Sequence, residues 1–460
     1  MKSELQGFIE QCRTAGQASV LIGLTDLDGI IRGKYVDLKK LEQLMTAGGG
    51  FCDCVLGWDV DDHLYDFNAI GLDMEAPYTG WHTGFPDVKY RLIASSSRTV
   101  PATKVPFFLG EFLEDDSDFH PLCPRSLLRK ANQLLSDQGI TAVTGYEYEF
   151  FVANESVLGM IEHDYSKLRS VQRGKLGYSV LKAATNSSWL QEFQDYCREF
   201  DMSVEGLHFE SDPGVWEAAL NKRDALKSAD CATLFKTFAK SFFRSKGFVA
   251  TFMAKWSMNF PGQSGHFHFS FLDSNGDGVF SAHKKKLNDS CRFAIGGLVR
   301  YLPEWLPMLA PNVNSFTRLV PGAWAPTYAS WGIENRTSAF RVIEDGNGGC
   351  HIENRVPGAD SNPYLVGAAT LLAASLGIRE RIEPPKQVVG NAYAGHQTEK
   401  EQKFSPSLRD AAQRMMKSQS AHEVFGQKFV EHFVASRMWE SHEAARNVTD
   451  WQLRRYFETI

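Results

Sequence analysis

The stretch GYEYEFF, at residues 145–151, alternates carboxylate and aromatic side chains in a pattern that predicts a β-strand. Because successive strand side chains point to opposite faces of a sheet, Glu147 and Glu149 are predicted to share one face. Three other runs also carry charged or imidazole groups on one face: His208 and Glu210 in 204–210, His266, His268 and Ser270 in 266–271, and His351, Glu353 and Arg355 in 351–355. The four runs together predict a sheet with one chemically specialised face.

A sheet can also have a polar face simply because water lies on that side. That interpretation weakens when four strands carry carboxylate or imidazole groups rather than Lys, Thr and Ser. Glu217 extends the set, since it follows Glu210 after a turn at 211–214. Hard cations prefer oxygen ligands, and crowded carboxylates repel one another unless a cation neutralises them. The candidate metal ligands are Glu147, Glu149, Glu210, Glu217, His266 and Glu353.

Four arginines cluster late in the chain, at Arg318, Arg336, Arg341 and Arg355. The planar guanidinium group binds carboxylates and phosphates through two parallel hydrogen bonds. Metal-binding carboxylates beside such a cluster indicate a polyphosphate and an anionic substrate that meet in one channel.

The composition is that of an ordinary globular chain of 460 residues, with 43% hydrophobic and 23% charged residues. This excludes a disordered or fibrous protein, and the absence of a long apolar run argues against a membrane protein. The formal charge of −6 argues against a nucleic-acid partner, because phosphate contacts need a basic surface. Eight Cys without a CxxC pair, and no apolar signal segment, predict free thiols in a reducing cytoplasm.

The order of elements favours an α+β protein of two domains. A helix at about 3–15 and strands at 19–24 and 30–36 open the first domain, and the irregular stretch 76–104 is interpreted as its end. The predicted domains are 1–108 and 109–460. The second mixes strands and helices without the regular alternation of a doubly wound sheet.

Five blocks carry a family resemblance: GYEYEFF (145–151), GLHFESDPGVWEAAL (206–220), ATFMAKW…GQSGHFHFS (250–270), NSFTRLVPGAWAP…NRTSAFRV (314–342) and HIENRVPGADSNPY (351–364). In this order they resemble the glutamine synthetase superfamily over nearly the whole chain. The resemblance implies an N-terminal β-grasp domain and a catalytic domain built on a curved antiparallel sheet. It also implies ATP and Mg²⁺ or Mn²⁺ as cofactors, and a homo-oligomer of two stacked hexameric rings, a dodecamer, with active sites between subunits.

The resemblance also assigns roles residue by residue. Glu149, Glu210 and Glu217 match the ligands of one metal, and Glu147, His266 and Glu353 those of the other. Gly262, Arg318 and Arg355 match glutamate-binding positions. His268, Ser270, Arg336 and Arg341 match positions around the nucleotide phosphates, and Arg336 and Arg355 are expected to act in catalysis. Residues near 51–62, with Asp53 as a catalytic candidate, are expected to complete the site of the next subunit.

Two departures from the family pattern bear on the substrate. Ammonium-using members carry a Glu in the loop after the RLVPG block, where this chain has Trp324. Tyr178 still matches the substrate-loop tyrosine. Replacing a carboxylate with an indole removes the charge that holds a small cation and adds an apolar wall that suits an alkyl or aromatic amine. The second departure is Gly348-Gly-Cys-His351, where family members often have Lys and Arg near the phosphates.

The resulting prediction is an ATP-dependent ligase that joins the γ-carboxylate of glutamate to an organic amine, a polyamine or a monoamine, through γ-glutamyl phosphate. Two alternatives stay open: a true glutamine synthetase that uses ammonia, and a non-catalytic structural or regulatory paralogue. Asp59, Asp61 and Asp62 could attract the far amine of a diamine, or could be ordinary surface carboxylates.

Overall fold

The structure is a computed structural model of the chain, and it describes residues 2–71, 78–114, 118–166, 168–172, 174–394 and 402–460. Within these ranges the strands, numbered in chain order, are β1 Ser19–Thr25, β2 Ile31–Asp37, β3 Gly49–Cys52, β4 Asp87–Leu92, β5 Arg98–Thr99, β6 Pro106–Phe112, β7 Thr141–Ala153, β8 Val204–Phe209, β9 Val215–Leu220, β10 Arg223–Asp224, β11 Val249–Thr251, β12 Gly265–Leu272, β13 Ala282–His283, β14 Lys286–Leu287, β15 Trp331–Ile333, β16 Phe340–Glu344 and β17 Cys350–Asn354.

The α-helices are α1 Lys2–Thr14, α2 Leu41–Ala47, α3 Pro124–Ser136, α4 Val157–Glu162, α5 Val180–Thr185, α6 Ser187–Glu199, α7 Ala225–Ser245, α8 Asp289–Tyr301, α9 Val313–Arg318, α10 Pro363–Glu380, α11 Leu408–Met416, α12 Gln419–Phe425, α13 Gln427–Ala445 and α14 Asp450–Tyr456. Short 3₁₀ turns lie at Leu38–Lys40, Asp53–Leu56, Ala94–Ser96 and Leu306–Met308. None of the described helices has both the length and the apolar character needed to cross a lipid bilayer.

Two main sheets form the framework of the molecule, which agrees with the predicted α+β class. The N-terminal sheet has the order β2-β1-β6-β4-β3, with β5 also paired to β6, and β1 runs parallel to β6. The large sheet has the order β15-β16-β17-β12-β7-β9-β8, and β10 and β11 add to the edges of β7. Its pairs are antiparallel apart from β15 and β16. The curved antiparallel sheet expected from the sequence is confirmed.

The predicted domain boundary after residue 108 falls inside β6, which pairs with both β1 and β4 and so belongs to the N-terminal sheet up to Phe112. The stretch 76–104 looked irregular because it is rich in Ser, Pro and aromatic residues, but it contains β4 and β5. If all strands of the N-terminal sheet are assigned to one domain, the domain boundary lies after Phe112. The division into two independently folding domains stays a prediction.

The large sheet has one face in the core and one face toward a cleft. Along β7, Tyr146, Tyr148 and Phe150 are buried, whereas Glu147 and Glu149 on the other face keep partial exposure. Helices α3, α7 and α10 pack behind the sheet. Full burial of large aromatic rings is worth about 2–3 kcal/mol each, so the core face holds β7 in register and thereby fixes the direction of both carboxylates.

Helix α10 is buried along most of its length and packs closely against α8. A Cβ atom on Gly297 of α8 would lie 2.0 Å from the backbone oxygen of Ala373. Only glycine therefore allows this approach between the two helix backbones.

Candidate active site

A cleft of about 770 Å³ opens on the polar face of the large sheet. It gathers most of the residues that the sequence singled out: Glu147, Glu149, Tyr178, Glu210, Glu217, Gly262, His266, His268, Arg318, Trp324, Arg336, Arg341, Glu353 and Arg355. Positions more than 200 residues apart in sequence thus share one cleft, because their strands are neighbours in the sheet.

The pairing register of β7, β12 and β17 brings together the side chains of the first carboxylate–imidazole cluster. His266 lies opposite Glu147, and His268 lies opposite Glu353. His266 Nδ1 lies 3.4 Å from a Glu147 oxygen and 3.2 Å from a Glu353 oxygen. Glu147, His266 and Glu353 each offer one ligand atom, and these three atoms lie within 4.8 Å of one another. This is the trio that the sequence assigned to one metal.

The second cluster is formed by His208, Glu210 and Glu217, whose ligand atoms also lie within 4.8 Å of one another. His208 lies opposite Glu217 in the β8–β9 pair, and Glu217 lies opposite Glu149 in the β7–β9 pair. Glu149, predicted as the third ligand here, instead accepts a hydrogen bond of 2.7 Å from the backbone N–H of Ser264. The structure therefore places Glu149 beside the cluster.

Sequence reasoning missed His208 as a candidate ligand. The period-two pattern already placed it on the face of Glu210, but the family blocks assigned it no role. Its Nε2 atom lies 3.1 Å from a Glu210 oxygen and 3.9 Å from a Glu217 oxygen.

The charges of the two clusters fit bound divalent cations. Burial, followed by the neighbouring Glu149 and Glu147 carboxylates, raises the pKa of Glu217 to about 10 when no cation is present. Within the described residues, the buried His266 Nε2 atom has no hydrogen-bond partner. A cation would neutralise the crowded carboxylates. The carboxylates, which make up most of this donor set, suit Mg²⁺ or Mn²⁺.

Arg318 and Gly262 form a buried corner of the cleft. The Arg318 guanidinium group donates to the backbone oxygens of Val356, at 2.9 Å, and Arg355, at 3.1 Å. Burial lowers its pKa to about 10, so the group stays charged at neutral pH. A Cβ atom on Gly262 would lie 2.5 Å from Arg318 Cγ, so glycine is required for the loop to pass this close.

Arg341 and Arg355 hold Glu353 from both sides. Arg355 Nη1 donates to one oxygen of Glu353 at 2.5 Å, and Arg341 Nη1 donates to the other at 3.2 Å. Burial opposes ionisation, but Arg355 and the nearby histidines lower the pKa of Glu353 to about 2. Arg341 also donates to Glu334 at 2.7 Å. The Nε atoms of both arginines are buried without a partner among the described residues and are available to an anion.

Trp324 and Tyr178 form the aromatic part of the cleft. Trp324 is 59% exposed and Tyr178 is 70% exposed, and both have a left-handed backbone, with φ of 56° in each case. Such a conformation is strained for residues other than glycine and is often found at functional sites. The Tyr178 ring stacks on His208, with ring centroids 4.3 Å apart. Two exposed aromatic surfaces therefore lie in the same cleft as the carboxylates.

Two predicted site residues do not line this cleft. Ser270 lies further along β12, where its hydroxyl donates to the backbone oxygen of Cys350 at 3.2 Å. Asp53 lies in the N-terminal part of the chain and is only 2% exposed. Burial raises the pKa of Asp53. Within one chain, Asp53 therefore has no access to the cleft.

The three aspartates after Trp58 have mostly structural contacts. Asp59 is buried and accepts a hydrogen bond of 2.9 Å from Trp439 Nε1. Asp62 pairs with Arg32 at 2.5 Å. Asp61 and Asp62 are both exposed, and none of the three aspartates lines the cleft.

Comparison with known proteins agrees with this geometry. A family model described as "Glutamine synthetase, catalytic domain" matches residues 121–456. The chain is 36% identical over 458 residues to type-1 glutamine synthetase 2 of Dictyostelium discoideum, covering 98% of this chain and 86% of that protein. It is 33% identical over 446 residues to glutamate–isopropylamine ligase of a Pseudomonas species, covering 96% of this chain and 95% of that protein.

The solved structure of GmaS without ligand superposes with a TM-score of 0.81 at 25% sequence identity, covering 98% of this chain and 99% of that chain. The sequence matches, the shared fold and the carboxylate–imidazole clusters on the curved sheet all indicate the same family. The chain belongs to the glutamine synthetase family.

Proposed function

We propose that this chain is an ATP-dependent ligase that joins the γ-carboxylate of glutamate to an organic amine through a γ-glutamyl phosphate intermediate. Family membership supports an ATP-dependent γ-glutamyl ligase. The observation that carries the choice of an amine is Trp324, an exposed indole in the cleft that also contains the two carboxylate clusters. A relative that is 33% identical over nearly the whole chain is named a glutamate–isopropylamine ligase.

In the first step, an oxygen of the glutamate γ-carboxylate attacks the γ-phosphorus of ATP, and ADP leaves. Arg318, Gly262 and Arg355 are the proposed holders of glutamate. His268, Arg336 and Arg341 are the proposed contacts of the phosphates, where their positive charge offsets the charge that develops during transfer. When bound at the two clusters, divalent cations would supply further charge neutralisation.

In the second step, the amine nitrogen attacks the acyl carbon, and inorganic phosphate leaves. The attacking nitrogen must be neutral, so a base has to take its proton. Asp53 from a neighbouring subunit is the proposed base, because residues near 51–62 resemble those that complete the next subunit's site in this family. Trp324 and Tyr178 would hold the organic part of the amine against their ring faces.

The test is ADP release by the purified protein with ATP, Mg²⁺ and glutamate, against ammonia, monoamines, putrescine, spermidine and aniline. Mass spectrometry identifies the product. We expect a γ-glutamyl adduct of an organic amine and little glutamine. The Trp324→Ala variant should raise the KM for the amine more than that for ATP, whereas Trp81→Ala, which removes an exposed indole outside the cleft, should change neither. Turnover with ammonia alone would contradict the proposal.

Glutamine synthesis from ammonia is the second candidate, favoured by the 36% identity to type-1 glutamine synthetase 2. The same panel separates the two functions. A non-catalytic role has less support, because the cleft retains every predicted metal ligand.

A further inference from the structure

Two thiols outside the cleft lie close together behind β17. Cys350 is the first residue of this strand, and Cys291 lies in the first turn of α8. Their sulfur atoms are 3.8 Å apart, and both side chains are buried. Neither has a place in the proposed reaction. All eight cysteines of the chain are free in the structure.

The two sulfur atoms are in non-bonded contact. A disulfide needs sulfur atoms about 2 Å apart, so the two sulfurs would have to approach by about 2 Å. Side-chain rotation and a small shift of the strand end can supply this movement. The two cysteines are 59 residues apart in sequence and lie on different elements, so the bond would tie α8 to the large sheet.

The surroundings of Cys350 offer a route for an oxidant. The exposed loop 345–348 directly precedes the strand, and Gly346 and Gly348 hold left-handed backbones there, with φ of 78° and 87°. The loop is tied to the neighbouring segment by a hydrogen bond of 3.1 Å from Ala282 N–H to the Gly348 oxygen. Cys350 adjoins this loop and is 4% exposed, whereas Cys291 is 0% exposed, so Cys350 is the thiol nearer to an oxidant.

We propose that Cys291 and Cys350 form a reversible disulfide, which makes this pair a redox-sensitive modification site. The oxidant is a small disulfide of the glutathione class. The Cys350 thiolate attacks one of its sulfurs, forms a mixed disulfide and releases one small thiol. The Cys291 thiolate then attacks the Cys350 sulfur and releases the second. Two protein thiols are oxidised, and one small disulfide is reduced to two thiols. These small thiols take up the two protons that the protein thiols lose.

The bond would act on the part of the cleft that we assign to the nucleotide. The Cys350 oxygen accepts the hydrogen bond from Ser270, and the ring of the next residue, His351, lies 5.4 Å from that of His268. A shift at the start of β17 therefore moves groups proposed to contact ATP. The proposed glutamate holders Arg318 and Gly262 lie on other segments, and Arg355 follows the opposite end of the strand. This consequence, unlike the disulfide itself, rests on the proposed function.

The test compares the folded protein after incubation with oxidised glutathione and after dithiothreitol. Peptide mapping without reduction should show a linked Cys291–Cys350 pair and a mass loss of about two hydrogens. The link should be absent from Cys350→Ala and Cys291→Ala, and present in Cys12→Ala, a buried thiol elsewhere. Free Cys291 and Cys350 in oxidised, folded wild-type protein would overturn the proposal.

The functional consequence has its own measurement. Oxidation should raise the KM for ATP several-fold and leave the KM for glutamate nearly unchanged, and dithiothreitol should reverse the effect in wild-type protein. The Cys350→Ala variant should show no such response. A linked pair with an unchanged KM for ATP would overturn the coupling to the nucleotide. If the chain shows no ligase activity at all, the peptide map still decides whether the disulfide forms.

Discussion

Trp324 and Glu353 represent two kinds of site residue. Trp324 lies on a strained, exposed loop, so its side chain can change without disturbing a packed core. Glu353 is 1% exposed and is held by two arginines and a histidine. We therefore expect substitution of Trp324 to change which nucleophile is used, and substitution of Glu353 to stop phosphoryl transfer for every nucleophile.

Replacing Trp324 by glutamate should increase the use of ammonia. The new carboxylate would attract ammonium, and the loss of the indole would remove the wall for the organic amine. We expect kcat/KM for the amine to fall at least about 10-fold, a change of about 1.4 kcal/mol in transition-state stabilisation. Competition assays with both nucleophiles measure the ratio of products. An unchanged ratio would show that Trp324 does not face the amine.

Replacing Glu353 by glutamine should reduce ADP formation by about 100-fold or more, because a proposed ligand of the cation that neutralises the transferring phosphoryl group is lost. Mg²⁺ should also raise the melting temperature of the variant less than that of the wild-type protein, since binding to the native state stabilises it. Glu383→Gln, which only breaks an exposed ion pair with Arg292, is the matched control. Wild-type rates in Glu353→Gln would remove Glu353 from the metal site.

At the scale of elements, the period-two patterns predicted which residues share the polar face, because side-chain alternation is a local property of a strand. The same pattern could not predict that Glu149 turns to the Ser264 N–H, since that contact depends on the loop before β12. It also could not predict that Asp53 is buried, because burial depends on the packing of the whole N-terminal part. The predicted boundary after residue 108 falls inside β6 because the preceding strands β4 and β5 are short and lack a clear alternation.

Helix α13 contacts the segment that follows Asp53 through the side chain of His432. His432 Nε2 lies 2.7 Å from the backbone oxygen of Leu56, and its Nδ1 accepts a hydrogen bond of 3.3 Å from the Tyr78 N–H. Burial lowers the pKa of His432 to about 4. The ring is therefore neutral at pH 7, with its proton on Nε2. One side chain thus ties both ends of the 56–78 segment to the helix.

This arrangement predicts a dependence of stability on pH. An unfolded histidine binds a proton near pH 6.5, whereas folded His432 binds it near pH 4, so the unfolded state holds more protons between these values. The free energy of unfolding should fall as the pH drops from about 6.5 to about 4, by about 3 kcal/mol for this group. Urea unfolding across this range should show a shallower fall in His432→Gln. The exposed His283→Gln should match the wild-type protein, and equal slopes in all three would contradict the assignment.

At the scale of the whole molecule, the family resemblance of residues near 51–62 predicts active sites shared between subunits. The single chain carries the cleft, but Asp53 is buried away from it, in the N-terminal part. We expect a ring assembly in which this part of one chain borders the cleft of the next, and native mass spectrometry should count the chains.

Mixing inactive variants tests the shared site directly. Asp53→Ala and Arg336→Ala should each be inactive alone. Hybrid rings reassembled from the two should regain activity, because some sites combine an intact Asp53 with an intact Arg336. A mixture of Glu353→Gln with Arg336→Ala should stay inactive, since both changes affect the same half of the site. Hybrid rings without recovered activity would show that Asp53 acts within its own chain or not at all.

The left-handed backbone at Trp324 also has a consequence for protein engineering. A bulky residue in this conformation costs about 1 kcal/mol or more, and glycine and asparagine tolerate it better. A saturation library at this single codon should therefore give folded variants at high frequency, and several should be more thermostable than the parent. Selection for catalytic turnover would then maintain tryptophan at this position, although other residues there give a more stable protein. The loop can therefore be exchanged to change the substrate specificity of the enzyme.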